Sequence, residues 1–290
     1  MKREIGSTGV HVFPIALGAM PLSIKNRPDE DAAIRVLHAA WDAGVEFVDT
    51  ANVYCLDDDE LGHNERLIRK ALDLRPSTDV HVGTKGGIRR PGGEWVVDGH
   101  PDHLRRSCEQ SLKDLGMESI FLYQLHAPDP KVPFADSIGA LAGLQADGKI
   151  RHIGISNVTR EQVLEALDIV RIETIQNRAN PFSKQDYLTT GILELCGQNR
   201  LSYLPYSTVG GQAHHTDAAA HTVLAKMAEE HHATPYQVML AWHLAQSPPQ
   251  VLPIPGASSP GSIESSVAAV ELELNGWEFQ RINQLEDVGS

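Results

Sequence analysis

Four residues whose types could together protonate a carbonyl oxygen stand just past apolar runs: Asp49, Tyr54, Lys85 and His126. The stretch Gly44-Val45-Glu46-Phe47-Val48-Asp49-Thr50-Ala51-Asn52-Val53-Tyr54 runs from a helix stop through a short buried strand into a loop, leaving an acid and a phenol behind the strand. His81-Val82-Gly83-Thr84-Lys85 ends on an amine, and Ile120-Phe121-Leu122-Tyr123-Gln124-Leu125-His126 ends on an imidazole. A carbonyl that receives hydride develops negative charge on oxygen, which a positioned proton donor must neutralise. A phenol alone is a weak acid, with an ordinary pKa of about 10. An ammonium beside it favours the phenolate; at 4 Å and an effective dielectric near 20 one such pair is worth roughly 4 kcal/mol before desolvation. Lys85 is therefore expected to lower the Tyr54 pKa, Asp49 to hold Lys85 charged, and His126 to donate to or orient the substrate oxygen. Each residue has an ordinary reading by itself: a turn cap, a solvated amine, a loop histidine. Their recurrence at successive strand ends is what joins them.

Strand ends converge on one mouth only if the strands are parallel and the sheet closes. The chain has that rhythm. A hairpin of Arg3-Glu4-Ile5 and Val10-His11-Val12 turns at Gly9, and Pro14–Leu17 follows as a first buried strand. Asp29 caps a helix carrying Ile34, Leu37 and Trp41, stopped by Gly44. Phe47-Val48 precedes a helix around Leu67, Ile68, Ala71 and Leu72. Val80–Thr84 precedes one with Leu104, Cys108, Leu112 and Leu115, stopped by Gly116. Ile120–Leu125 leads to a helix with Ile138, Leu141 and Leu144 that ends at Gly148, and Ile150–Ile155 to one opened by a Thr159/Gln162 capping box. Thr174–Gln176, Leu201–Leu204 and Val251–Ile254 complete eight strands. A loop at Ser207–Asp217 and helices near Val223–Glu230 and Thr234–Ala245 lie between the last two, and a final helix spans about Gly276–Leu285. This pattern predicts an α/β fold, a (β/α)8 barrel with a short N-terminal hairpin and an extra C-terminal helix. No linker interrupts residues 1–290, so one domain is expected.

Composition narrows the functional classes. The chain has 290 residues, 41% of them apolar, and no apolar run approaches a membrane span. Met1-Lys2-Arg3-Glu4-Ile5-Gly6 lacks the apolar core of a signal peptide. A net charge of −13 with no basic stripe argues against nucleic acid. Cys55, Cys108 and Cys196 have no framework spacing, which suggests a reducing, cytoplasmic setting. His214-His215, His221 and His231-His232 lack ligand spacing and an accompanying carboxylate, so no metal is expected. Should the acidic Asp57–Glu60 rim the mouth, anionic substrates are disfavoured.

Asp49, Tyr54, Lys85 and His126, in this order on the second to fourth strands, resemble the aldo-keto reductase tetrad. Leu17-Gly18-Ala19-Met20, Ser111-Leu112-Lys113-Asp114-Leu115, Gly154-Ile155-Ser156-Asn157, Ile175-Gln176-Asn177 and Ile254-Pro255-Gly256-Ala257-Ser258-Ser259 extend the similarity through nearly the whole chain. The Tyr203–Tyr206 run, Gly210-Gly211 and the segment Thr234–Ser259 are similar to members acting on pyridoxal or sugar-like carbonyls. The resemblance implies NADPH or NADH bound without a Rossmann domain, and a small aldehyde, ketone or alcohol as substrate. It implies that Gly18 and Met20 border the cofactor and that Ser156, Asn157 and Gln176 hold its carboxamide. Tyr206 would stack under the nicotinamide, and Ser207, Thr208, Val209, Gly210 and Gly211 would pass the pyrophosphate. Gly256, Ala257, Ser258 and Ser259 would meet the adenosine end. Where NADPH-preferring members place lysine and arginine around the 2′-phosphate, this chain has Gly256 and Ser262, and Ser266 replaces the asparagine near the adenine. Cys55 replaces the glycine that follows the tetrad tyrosine. Relatives that keep the cofactor site but turn over slowly imply an alternative role, a regulatory cofactor-binding subunit.

Overall fold

The structure is a computed structural model that describes residues 2–76, 78–211, 216, 220–247 and 250–286. Seven parallel strands pair in chain order: Leu17–Gly18, Phe47–Asp49, His81–Gly86, Ile120–Leu125, Ile150–Ser156, Thr174–Gln176 and Ser202–Tyr203. The first is shifted towards Gly18 relative to the expected Pro14–Leu17. Segment 251–256 closes the cylinder, with parallel bridges from Tyr203 to Val251 and from Gly18 to Gly256. Its composition explains its irregularity. Leu252 and Ile254 donate to the Tyr203 and Pro205 carbonyls on one side (2.8 and 3.3 Å). Pro253 and Pro255 have no N–H to donate, and on the other side they only accept, from Ala16 and Gly18 (3.0 and 2.9 Å). A Cβ at Gly18 would stand 2.7 Å from the Ile254 carbonyl oxygen, so only glycine lets the first and last strands close.

Because side chains alternate across a strand, each strand serves two layers. Val48, Val82, Tyr123, Ile153 and Ile175 point outward into the main apolar core shared with the helices. Phe47, Leu122, Leu204, Leu252 and Ile254 fill the barrel's inside, joined by Ile5 and Val12 of the hairpin Arg3–Glu4/His11–Val12. Arg3 donates to the carbonyls of Val251 and Leu244. The hairpin thus plugs the amino-terminal end and leaves function to the other.

The helices start and stop where the sequence places its caps. Asp29 accepts from Ala32 N–H (2.7 Å) ahead of Glu30–Asp42, and Gly116 ends Pro101–Leu115 at φ 66°. His63–Asp73, Phe134–Ala146 and Arg160–Ile169 follow the second, fourth and fifth strands. Thr222–Glu230, Pro235–Leu244 and the C-terminal Gly276–Asn283 also match expectation. Two features go beyond it. Helices Gln185–Leu188 and Ile192–Asn199 fill the connection after the sixth strand, and an antiparallel pair, Ile88–Arg89 with Val96–Val97, rises from the loop after the third. His214, His215 and Asp217 lie outside the described residues.

Candidate active site at the carboxyl end of the barrel

The inward positions near the strand ends are polar, and the register makes them neighbours. Gly18 pairs with Asp49, Lys85 with Gln124, Gln124 with Gly154, and Ser156 with Gln176. The Lys85 ammonium, fully buried, donates to Asp49 Oδ2 (2.6 Å), the Thr50 carbonyl (2.8 Å) and the Tyr54 hydroxyl (2.9 Å). Asp49 Oδ1 accepts from Gln176 Nε2 (2.8 Å) and Gln124 Nε2 (3.1 Å). Every donor that a buried carboxylate needs is therefore supplied by the barrel itself. The His126 ring meets the Tyr54 ring edge-on, centroids 5.9 Å apart. All four tetrad candidates converge.

Gln124, which the sequence shows as one letter of an apolar strand, joins this group through Asp49. It lies on the Lys85 side of the barrel and takes hydrogen bonds from Thr174 and Gln176 (both 3.3 Å). Gly154 makes room for it, since a Cβ there would stand 2.2 Å from Thr174 Oγ1 and 2.8 Å from Gln124 Cγ. The signal was the parity: a polar residue two before His126 and beside Lys85 in the sheet.

Burial reverses one electrostatic expectation. The Tyr54 phenol is held above its ordinary value, because loss of water outweighs the lowering by Lys85. Lys85 is also pulled down by burial, but Asp49 and Tyr54 more than compensate, and it stays above the ordinary lysine value. His126 is pushed well below its ordinary value by burial and then by the Lys85 charge, so its ring is neutral at pH 7. The site holds a phenol that keeps its proton beside a charged ammonium and a neutral imidazole.

The residues expected to carry the cofactor form a second, contiguous group. Ser156 Oγ donates to the Gln176 carbonyl (2.6 Å). The Asn157 amide donates to the His126 carbonyl (2.9 Å) and accepts from the Tyr206 hydroxyl (2.6 Å), which fixes the half-buried Tyr206 ring. Ser207, Gly210 and Gly211 all have positive φ, and the buried Thr208 Oγ1 has no partner among the described residues. Met20 packs against the cluster containing Tyr54. Gly256 lies against Pro21, and Ser258 is exposed. Four of the expected residues also have contacts within the protein. The Ala257 side chain is buried in the main apolar core, which leaves only its backbone at the surface. Ser259 and Ser262 spend their hydroxyls capping Pro260–Ala268, and Ser266 donates to the Ser262 carbonyl (3.0 Å).

The mouth also has a wall. Trp95, in the connection between the paired strands Ile88–Arg89 and Val96–Val97, meets both Tyr54 and His126 edge-on at 6.4 and 6.3 Å between centroids. The acidic Asp57–Glu60 lies beside this region, and the carboxylates of Asp57, Asp58 and Glu60 are engaged locally. Glu60 is bidentate with Arg27 (2.6 and 2.8 Å), Asp58 accepts from Gly92 N–H (2.9 Å), and Asp57 caps Asp59 N–H (3.1 Å). The Cys55 thiol is buried and pushed up to about 11 by that burial, so it is not a nucleophile at neutral pH. Among the described residues no cluster of metal-ligating side chains occurs, and His231 pairs instead with Glu278 (2.8 Å).

The model of the aldo/keto reductase family matches residues 14–287. The chain belongs to the aldo-keto reductase family. As a member it is an NAD(P)-dependent oxidoreductase acting on carbonyl and alcohol groups. It is 32% identical to pyridoxine 4-dehydrogenase of Escherichia coli over 256 residues, covering 85% of this chain and 84% of that protein. Among solved structures, glycerol dehydrogenase of Gluconobacter oxydans superposes with a TM-score of 0.85 at 27% identity, covering 97% of this chain and 94% of the other. An aldo-keto reductase of Klebsiella pneumoniae, solved with NADPH, superposes at 0.80 with 25% identity, covering 98% and 94%. Like these reductases, the chain folds as a (β/α)8 barrel. Among the described residues no helix is long and apolar enough to cross a membrane.

Proposed function

We propose that this reductase interconverts small aldehydes or ketones and their alcohols with NADPH or NADH, and that Tyr54 gives and takes the proton. One observation carries the reading: Lys85 bridges the Tyr54 hydroxyl and Asp49 at 2.9 and 2.6 Å, beside a neutral His126. The bound cofactor supplies hydride to the carbonyl carbon. Tyr54 O–H donates to the oxygen as charge develops there, and Lys85 stabilises the phenolate left behind. His126, being neutral, positions the same oxygen by donating to it without adding a competing acid. Gln124 and Gln176 keep Asp49, and through it Lys85, in place.

The residues present fit a nicotinamide cofactor. Gln176 commits its amide N–H groups to Asp49 and Gln124, leaving Oε1 to accept from the carboxamide alongside Ser156 and Asn157. Tyr206, held by Asn157, offers its ring for stacking, and the positive-φ turn Ser207–Gly211, with a Thr208 hydroxyl that has no partner among the described residues, suits a pyrophosphate. Gly18 and Met20 border the cofactor next to Gly256, and the run from Gly256 to Ser259 with Ser262 and Ser266 leads to the adenosine end. With Ser262 and Ser266 donating to backbone carbonyls and no cation in their place, the 2′-phosphate is left to the Ser258 and Ser259 hydroxyls. The similarity to pyridoxine 4-dehydrogenase and glycerol dehydrogenase supports a small, hydroxylated carbonyl substrate. Three free, buried cysteines support a cytoplasmic setting.

Replacing Tyr54 by Phe tests the proton role. Carbonyl reduction should fall by about 10²- to 10⁴-fold, with cofactor affinity by fluorescence titration within about twofold; retention of activity rejects the assignment. Affinities for NADPH and NADH should differ by tenfold or less, about 1.4 kcal/mol. A thousandfold preference for NADPH would mean that another cation serves the phosphate.

A further inference from the structure

A buried cation near the mouth takes no part in the tetrad or the cofactor group. Arg90 is only 6% exposed, yet no carboxylate pairs with it among the described residues, and its Nε and Nη1 have no hydrogen-bond partner there. Its Nη2 donates to the carbonyls of Cys55 and Leu56 (3.1 and 2.9 Å). Its guanidinium carbon lies 4.0 Å from the centroid of the Trp95 ring. Trp95 in turn is 47% exposed while meeting Tyr54 and His126 edge-on. The segment between them is tied to the same loop a second time, by Gly92 N–H on Asp58 (2.9 Å), and Gly93, at φ 88°, brings the backbone close to it: a Cβ there would lie 3.1 Å from the Leu56 carbonyl oxygen.

We propose that Arg90 is a positioning residue for substrate choice: it clamps Trp95 to the Cys55–Glu60 loop and thereby selects carbonyl substrates with a planar, unsaturated body. This rests on Tyr54 and His126 receiving the substrate oxygen. A guanidinium with no carboxylate to neutralise it keeps its full attraction for the indole face. A flat fork also matches the ring in a way an ammonium cannot. One side of the indole is taken by the cation, and the large exposed remainder stands next to the two groups that would hold the carbonyl. An aromatic or heteroaromatic aldehyde can lie along it, whereas a short aliphatic aldehyde reaches Tyr54 without touching it. The acidic insertion after Tyr54 thus acquires a role. It supplies the two carbonyls and the one carboxylate that anchor the wall.

The test compares 4-nitrobenzaldehyde with propanal at saturating cofactor in the wild type and in Arg90→Met, Arg90→Lys and Trp95→Leu. Arg90→Met should raise KM for the aromatic aldehyde about tenfold while leaving KM for propanal and both kcat values within about twofold to threefold. Trp95→Leu should do the same, and Arg90→Lys should recover less than half of the loss. Acrylamide quenching in a Trp277→Phe background reads the clamp directly, because Trp277, at 67% exposure, is the other strongly exposed tryptophan. Arg90→Met should make the remaining exposed indole more quenchable. Equal KM changes for the two aldehydes, full recovery by lysine, or unchanged quenching each overturn the proposal. If wild-type protein reduces neither aldehyde, it is the hydride-transfer reading that fails; quenching still decides whether Arg90 holds Trp95.

Discussion

The two faces of the third strand solve the same problem differently. Lys85 points inward and meets the carboxylate Asp49; its neighbour Thr84 points outward and meets the carboxylate Glu65. Both acids are buried. Asp49 has an ammonium and two amide donors, all inside hydrogen-bond range. Glu65 accepts from the Thr84 hydroxyl at 2.6 Å, its Oε2 has no partner among the described residues, and burial pushes its pKa up to about 7. A buried carboxylate becomes an asset when a cation and directed N–H groups surround it, and a liability when only hydroxyls do. The inward face joins its polar groups into one satisfied network; the outward face leaves an acid whose charge state follows the medium.

Breaking the inner arrangement should cost most. Lys85→Met removes the partner of Asp49 and the neighbour of the Tyr54 phenol. It should destabilise the fold by about 3–5 kcal/mol in urea denaturation, raise the phenol further and abolish reduction. Little change in stability would mean that the inner carboxylate takes up a proton instead. The outer arrangement should show itself through pH. The folded protein holds the Glu65 proton up to about pH 7, whereas the unfolded chain releases it near the ordinary 4.5. Stability from this group is therefore complete below pH 4.5 and lost as pH rises to 7, by about 3 kcal/mol. Glu65→Gln should remove that part of the pH dependence, seen as a flatter plot of unfolding free energy between those pH values. An unchanged plot would assign the dependence to other groups. The smallest change sharpens the contrast: Thr84→Val should cost about 1–2 kcal/mol and push the Glu65 pKa higher, with activity within about twofold. Loss of activity there would show that the two faces are not independent.

The convergence of Asp49, Tyr54, Lys85 and His126 could be read from the chain because Asp49, Lys85 and His126 end apolar runs, Tyr54 follows Asp49 in the loop, and a closed parallel barrel brings such ends together. The barrel itself was legible from the alternation of strands and capped helices, down to Asp29, Gly116 and the Thr159/Gln162 box. What could not be read has physical causes. The direction of the Tyr54 shift depends on burial, which competes with the Lys85 charge and wins. Gln124 looks apolar by its neighbours and shows its role only through register with Lys85 and the space left by Gly154. Arg90 and Trp95 lie in the irregular connection 90–95 between the two-residue strands Ile88–Arg89 and Val96–Val97, which is too short for any periodicity. Helices 185–188 and 192–199 are split by Thr189-Thr190-Gly191, which hides their common pattern.

The prolines of segment 251–256 leave the cylinder with one unequal seam. Between the first and last strands, Ala16 and Gly18 give protons to Pro253 and Pro255 and receive none from them. Thermal breathing should begin along that line, with the Ala16 and Gly18 amides exchanging with deuterium sooner than their counterparts between the fourth and fifth strands. Since Gly18 and Gly256 face each other there, a dinucleotide laid across both would act as a staple, and its arrival should be felt first as slower exchange at those two amides.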